Sequence, residues 1–555
     1  MKSTLRLVVL SVVLIMAGLA LGVGIAQKRS DNPDTLRQLR KLEDAFMLIT
    51  QQYVEPVNTE KLVEGAIQGM LEELDPHSAY IAARELREVQ ESFEGTFGGV
   101  GIYFEIVRDT ARVINTVPNG PSEKVGLMPG DRLLMINDST AIGFDDEDVR
   151  RNLKGEVGTT VRVMIQRAGL SQPRQFTITR ARIPILTVES SFMADTHTGY
   201  MRIGHFAQTT YDEFRQHLTR LQQQGADRLI LDLRDNPGGI MSSAVKIADE
   251  FLKTGQTIVS TRSRNARFNE SEAATAGGRF EQQPLIVLLN ENSASASEIV
   301  AGALQDHDRA LIVGRRSFGK GLVQTQFPLT DGSVLQMTIS RYYTPSGRLI
   351  QTPYEHGESV EHYLEQKYAT RAAEVFNPQV YVNQVPDSLK FRTSGGRIVF
   401  GGGGILPDIV VAPDTSSLYT GVARTGVDFR FAQDYFERHE QTLRRTWGTD
   451  PARFRQQYEV SDAVWQEFIA FMQRGEDAIT LTDNAAQVSP RQRIYLRADL
   501  ARQREDIEAR VKAYLARNLY GAEQWYPIAI PTDQTFREAM RLWDRAASLL
   551  AQVRH

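Results

Sequence analysis

A chain of 555 residues is longer than one hydrophobic core supports, so three or four domains of roughly 100–200 residues are expected. A net charge of −4 supplies no basic field of the kind nucleic acid requires, and nucleic acid is not an expected partner. With no cysteine in the chain, disulfides, thiol nucleophiles and cysteine-bound zinc are excluded.

Lys2 and Arg6 precede an apolar run of 20 residues, Leu7 to Ala26. That length matches the ~30 Å hydrocarbon core of a bilayer and exceeds the 7–15 residues typical of a signal-peptide core. Gly24-Ile25-Ala26 still offers a small-x-small cleavage site. The expectation for residues 1–30 is a signal or retained anchor, with the rest of the chain exported. Lys28, Arg29 and Arg37 follow the span, so flanking charge leaves its orientation open.

Residues 31–96 read as a helical segment. Leu39, Leu42, Phe46 and Ile49 form one stripe, and Leu62, Ile67, Met70 and Leu71 a second, before the breaker Asp75-Pro76-His77-Ser78. Residues 97–182 are β-rich, punctuated by Pro118-Asn119-Gly120-Pro121 and Gly126-Leu127-Met128-Pro129-Gly130-Asp131. Across 183–415 strands alternate with helices, which predicts a parallel α/β sheet. Strands are expected at Arg228–Leu233, Pro284–Leu289, Ala310–Val313 and Val334–Tyr343, with helices at Met241–Lys253 and Ala296–Gln305. Residues 416–555 read as helical. Ser489-Pro490 has the form of a helix start, followed by a stripe of Leu496, Leu500, Ile507, Val511 and Tyr514. Phe536, Met540, Trp543, Ala547 and Leu550 make another stripe. Packing or partner contact is the expectation for this region.

Three Gly- or Ser-rich segments each follow a predicted parallel strand: Arg234–Gly239, Asn292–Glu298 and Arg316–Gly321. Sites in open α/β sheets form beyond the carboxyl ends of strands, so these segments are expected in one crevice. Lys320 follows Ser295 by an interval that fits one helix and one strand. A lysine acts as a base only when burial disfavours its ammonium, and Phe318, Gly319, Gly321, Leu322 and Val323 provide an apolar, tightly turned setting. The backbone N–H groups at the helix start and at Gly238-Gly239 are suited to an oxyanion hole, and the Gln324 amide to holding the Lys320 amine.

Alternatives stand beside this. Ser295-x-x-Glu298 is also a capping box and, taken alone, reads first as one. Ser293 and Ser297 are equally small and polar. Lys320 alone reads as an ordinary turn lysine. Gly314-x-x-x-x-Gly319-Lys320 imitates a phosphate-binding loop, but Gly321 stands where the magnesium-binding hydroxyl belongs and β-alternation follows. Ser317-x-x-Lys320, Ser30-Asp31-Asn32 and Lys253-Thr254-Gly255 match penicillin-recognising motifs in the wrong order. His307 sits at the far end of the Ser295 helix, about 18 Å along it. His205 is neither selected nor excluded as a base.

The run from Asn292 to Arg309, with Gly314 and Phe318 to Gln324, closely resembles the carboxy-terminal processing (tail-specific) proteases. The resemblance spans roughly 40–415 and includes Leu74-Asp75-Pro76-His77-Ser78, Asp232 to Gly239, Tyr343 to Arg348 and Gly401 to Asp408. It implies a crotonase-like α/β protease core carrying an inserted PDZ-like β domain. With the N-terminal helical arm and the C-terminal helical extension read from periodicity, the last of which lies outside the resemblance, the expectation is a multidomain α/β protein. It implies a Ser295 nucleophile, a Lys320 base, Gln324 completing a triad, and Gly239 and Ala296 N–H groups as oxyanion donors. Gly99-Val100-Gly101-Ile102 resembles the loop that binds a substrate's terminal carboxylate. No cofactor or metal is implied. The expected function is a serine endopeptidase on the exported side of the inner membrane, a periplasmic location, acting through an acyl-enzyme on proteins with apolar C-terminal tails. The competing expectation is a non-catalytic PDZ scaffold for exported C-termini. Further partners allowed by the sequence are a second copy, through the helical segments, and an adaptor or activator.

Overall fold

The computed structural model describes residues 33–167, 169–374 and 382–552. The apolar run Leu7–Ala26 lies outside them, and among the described residues no helix is long and apolar enough to cross a membrane. The chain divides into two compact units between Leu74 and Asp75. The smaller holds the helices Pro33–Gln52 and Thr59–Glu72. On the first, Leu39, Leu42 and Ile49 fall at helical spacing and are exposed.

The larger unit is built on a six-stranded sheet ordered Val188–Met193, Thr198–Ile203, Arg228–Asp232, Leu285–Leu289, Leu311–Gly314, Ile409–Val410. The first pair is antiparallel and the rest parallel. Leu285–Leu289 is an unbroken apolar run because both of its faces are buried. Alternate residues serve opposite sides. Leu229, Leu231, Val287 and Ile312 meet the helices Thr210–Gln223, Met241–Asp249 and Ala296–Asp306. Tyr200, Ile230, Ile286, Leu288, Leu311 and Val313 meet Ile530, Phe536, Trp543 and Leu549 from the end of the chain. The second face of this central sheet is therefore closed by the C-terminal helices. A separate antiparallel sheet includes Ala79–Ile81, the long hairpin Leu322–Pro328 and Val334–Tyr343, and Thr257–Arg262.

The β-rich insert forms its own sheet, ordered Ile102–Val107, Thr110–Thr116, Arg132–Ile136, Thr160–Gln166, Arg174–Thr179. It packs with the helix Asp146–Leu153 around Val113, Leu133, Val149 and Ile165. Thr96–Gly99 and Ala181–Pro184 pair antiparallel, so the two ends of the insert close on each other.

The C-terminal region is helical, with Leu418–Thr425, Val427–Trp447, Asp462–Met472 and Arg504–Tyr520 around a core of Phe431, Phe436, Phe468 and Leu515. The helix expected from Ser489 begins later: Ile507, Val511 and Tyr514 of its stripe lie on Arg504–Tyr520, but the stretch from Ser489 to Leu496 is not part of it. Pro490–Gln492 makes one 3-10 turn, Arg493 takes φ 60°, and Ile494–Leu496 is a short strand paired with Thr480–Thr482. A run of β-branched, aromatic and γ-branched side chains favours that strand, and Tyr495 is buried against Gly421. The last stripe is also interrupted: Gln534–Met540 and Trp543–Gln552 are separate helices, and the buried positions of the second are Trp543, Ala546, Leu549 and Leu550, with Ala547 exposed.

Candidate active site

Because the parallel strands end in register, the loops after Asp232, Leu289 and Gly314 emerge along one edge. They line a cleft of about 430 Å³ whose walls include Ser295, Lys320, Gln324, Gly238, Gly239 and His205. His307 is elsewhere: its Nε2 lies 2.7 Å from the Thr257 carbonyl.

Ser295 begins its helix with φ 53° and ψ −110°. Few side chains take that conformation, and such strain collects at functional corners. Of the three neighbouring serines, only Ser295 lines the cleft. Ser293 Oγ donates to the Leu233 carbonyl at 2.8 Å, and Ser297 Oγ to the Asn236 carbonyl at 3.0 Å. The capping box is present, and its close side-chain contact is from the Ser295 N–H to Glu298 Oε2 at 2.8 Å.

Glu298 does more than cap a helix. It is fully buried, and its carboxylate accepts from four donors. Oε1 takes Ser317 Oγ at 2.5 Å and the Gly319 N–H at 2.6 Å; Oε2 takes the N–H groups of Ser295 at 2.8 Å and Lys320 at 2.9 Å. One carboxylate thus ties the Ser295 corner to the Lys320 loop. Burial pushes this carboxyl up, and the four hydrogen bonds pull it back.

Lys320 is half-buried, and its Nζ donates to Gln324 Oε1 at 2.9 Å. Gln324 Nε2 in turn donates to the His77 carbonyl, which leaves its oxygen facing the lysine. Burial lowers the Lys320 pKa, while Asp75 and Glu298 oppose the shift. His77 is pushed down to about 4, first by burial and then by Lys320, so it adds no second positive charge at neutral pH. Asp75 fixes the turn: Oδ1 accepts the His77 and Ser78 N–H groups and Oδ2 the Ser78 hydroxyl.

The glycine loop stands against the serine. A Cβ on Gly238, at φ 100°, would lie 2.7 Å from Ser295 Cβ and 2.9 Å from the Ala296 nitrogen. Asn236, fully buried, holds the approach: its Oδ1 accepts the Gly238 N–H and its carbonyl the Ala294 N–H, both at 2.9 Å. Among the described residues the Gly239 and Ala296 N–H groups reach no protein acceptor.

In the insert, Gly99, Val100, Gly101 and Ile102 line a second cleft of about 470 Å³. The Val100 carbonyl is held by Ser122 Oγ at 2.6 Å and the Gly101 carbonyl by the Val117 N–H at 3.0 Å. With those carbonyls tied down, the Val100 and Gly101 N–H groups have no acceptor among the described residues. Gly101 has φ 71°, and a Cβ there would meet Ile183 Cδ1 at 3.1 Å. Among the described residues no group of His, Cys, Asp and Glu is arranged to hold a metal.

Sequence reasoning placed Ser295, Lys320, Gln324 and Gly239 at one strand-end edge. It missed the work of Glu298, given a role only as a cap, and of Asp75 and His77, which were read as a breaker and as part of the resemblance but given no role at the site. The spacing of Glu298 from Ser295 was visible, but its reach to Ser317, Gly319 and Lys320 had no local signal.

Comparison with known proteins supplies the context. Family models match for peptidase family S41 at residues 197–356, the PDZ domain at 98–178, the N-terminal domain of the activating protease CtpB at 21–85, and a family of unknown function at 418–521. A carboxy-terminal-processing protease of Bartonella bacilliformis is 37% identical over 349 residues, covering 61% of this chain and 80% of that one. The carboxy-terminal processing protease CtpB of Bacillus subtilis is 35% identical over 319 residues, covering 57% of this chain and 66% of its own. The solved photosystem II D1 C-terminal processing protease is 26% identical with a TM-score of 0.35, over 68% of this chain and 87% of that one.

Proposed function

The chain belongs to the carboxy-terminal-processing serine proteases of peptidase family S41, and from that premise we propose that it cuts exported proteins chosen by their apolar C-terminal tails, through Ser295 and Lys320. The observation that carries this reading is the single cleft shared by Ser295, Lys320 and Gly239. As Ser295 Oγ attacks the scissile carbonyl carbon, the neutral Lys320 amine takes the hydroxyl proton. Gln324 Oε1 holds one amine hydrogen and so orients the lone pair. The Gly239 and Ala296 N–H groups stabilise the oxyanion. The lysine then gives its proton to the departing amide nitrogen, leaving an acyl-serine that water hydrolyses with Lys320 again as base.

Target choice falls to the loop Gly99–Ile102. Its unpaired N–H groups suit a terminal carboxylate, and Ile102–Val107, at the edge of its sheet, suits an added strand. The apolar run Leu7–Ala26 supports attachment to the exported side of the inner membrane. The exposed Leu39, Leu42 and Ile49 stripe supports pairing with a second copy. The test is digestion of one model protein carrying an apolar tail with a free or an amidated C-terminus, by wild type and by Ser295→Ala. Cleavage of the free tail by wild type alone is expected. Cleavage by Ser295→Ala removes the nucleophile assignment, and equal rates on both tails remove tail capture.

A further inference from the structure

The tail cleft is not built by the insert alone. Besides the Gly99–Ile102 loop, its lining includes Gly521, Ala522, Glu523 and Tyr526 of the C-terminal extension. The extension is docked firmly enough to act as a wall. Arg112 Nη2 donates to Glu105 Oε1 at 2.6 Å and Gln433 Oε1 at 3.0 Å, and Asn518 Nδ2 donates to the same Gln433 oxygen at 3.1 Å. All four side chains are buried. Glu437 pairs with Arg132 at 2.9 Å and Arg108 at 3.3 Å. Tyr526 is fixed by its hydroxyl, 2.9 Å from Glu189 Oε2.

A peptide added along Ile102–Val107 turns alternate side chains to opposite faces. One set faces the apolar interior beside Ile102 and Phe104. The other lies on the side of Tyr103 and its cross-strand neighbour Asn115, where the extension stands. Asn115 Nδ2 reaches the Tyr520 carbonyl at 3.5 Å, and Glu523 is close enough to raise the Tyr103 hydroxyl pKa, after burial, the larger cause. The other charges lining the cleft already have partners: Arg150 with Asp146, Lys154 with Glu91, and Glu189 with Arg202. Glu523 is exposed and forms no ion pair among the described residues.

We propose that the C-terminal extension is the outer wall of the tail site, and that Glu523 makes the enzyme favour tails with a lysine or arginine beside the apolar terminal residue. This rests on the tail-capture reading of the Gly99–Ile102 loop. The extension thereby acquires a role in specificity in addition to its packing.

The experiment is fluorescence anisotropy on the full chain carrying Ser295→Ala, with labelled peptides that end in the same apolar residue. The penultimate residue is lysine or glutamate, and each peptide is made with a free or an amidated C-terminus. An exposed ion pair and its like-charge counterpart differ by a free energy that gives about a fivefold preference for lysine, shrinking as salt is added. Glu523→Lys should reverse that order, and Glu523→Gln should reduce it. Equal binding of the two free-tail peptides, or an unchanged preference in Glu523→Lys, overturns the proposal. If amidation weakens binding while the charge preference is absent, only the wall assignment falls. If amidation changes nothing, the tail-capture reading falls and this inference goes with it.

Discussion

Glu298→Gln tests whether one carboxylate sets the distance between the candidate nucleophile and base. In the native site each oxygen serves two donors. An amide has one oxygen, so two donors lose their acceptor whichever way it turns. Placing the NH₂ where Oε2 stands strands the Ser295 and Lys320 N–H groups. Placing it where Oε1 stands strands only the Gly319 N–H, because the Ser317 hydroxyl rotates to accept. The second orientation is therefore favoured. One buried, unpaired N–H costs roughly 1–3 kcal/mol, and neutralising the acceptor weakens the two remaining bonds. Relief from burying a charge offsets part of this, so about 2 kcal/mol of destabilisation is expected. The loss falls on the Gly319–Lys320 loop, where a displacement of about 1 Å is enough for roughly a 100-fold fall in kcat/KM. The assay is cleavage of a tailed model protein, with urea unfolding of the same preparation. Turnover within threefold of wild type at unchanged stability would show that Glu298 is only a helix cap.

Lys320→Ala should abolish cleavage while His205→Ala retains most of it; the reverse result in single-turnover assays would make His205 the base. Because burial lowers the Lys320 pKa, kcat/KM should rise with pH and level off below the range of an ordinary lysine. Asp75 opposes that shift by stabilising the ammonium, so Asp75→Asn should move the rising limb to lower pH; a shift to higher pH contradicts the assignment. Gly238→Ala forces a Cβ against Ser295 and should lower kcat more than 100-fold, by the same displacement argument, with substrate binding retained. Ser293→Ala and Ser297→Ala, whose hydroxyls are bound to backbone carbonyls outside the cleft, should each lose about 1 kcal/mol of stability and keep measurable turnover.

Much of the core was legible because its signals are local. The runs at Arg228, Leu285 and Leu311 carry strand chemistry, and the glycine- and serine-rich segments follow them directly. Strand ends in a parallel sheet must lie together, so Ser295 and Lys320 could be joined without a structure. What stayed hidden depends on distant pairing. Gln324 finds the His77 carbonyl 247 positions away, and Glu105 meets Gln433 across 328. The helix start expected at Ser489 was false because Leu496 and Leu500 keep helical spacing with the true helix Arg504–Tyr520, while Ile494-Tyr495-Leu496 has strand chemistry that pairing with Thr480–Thr482 brings out.

The sheet with one face closed by the end of the chain also has a consequence in time. Synthesis proceeds from the N-terminus, so Tyr200, Ile230, Ile286, Leu288 and Val313 are all made before Ile530, Phe536, Trp543 and Leu549 exist to cover them. Asp533 belongs to the same late segment and pairs with Arg234, in the loop leading to Gly238 and Gly239, at 2.8 Å. A nascent or shortened chain ending near residue 415 has every motif by which the family is recognised, yet half of its central sheet lies bare. The segment from Ile530 to Leu549 is therefore the closing step in burying this face of the sheet.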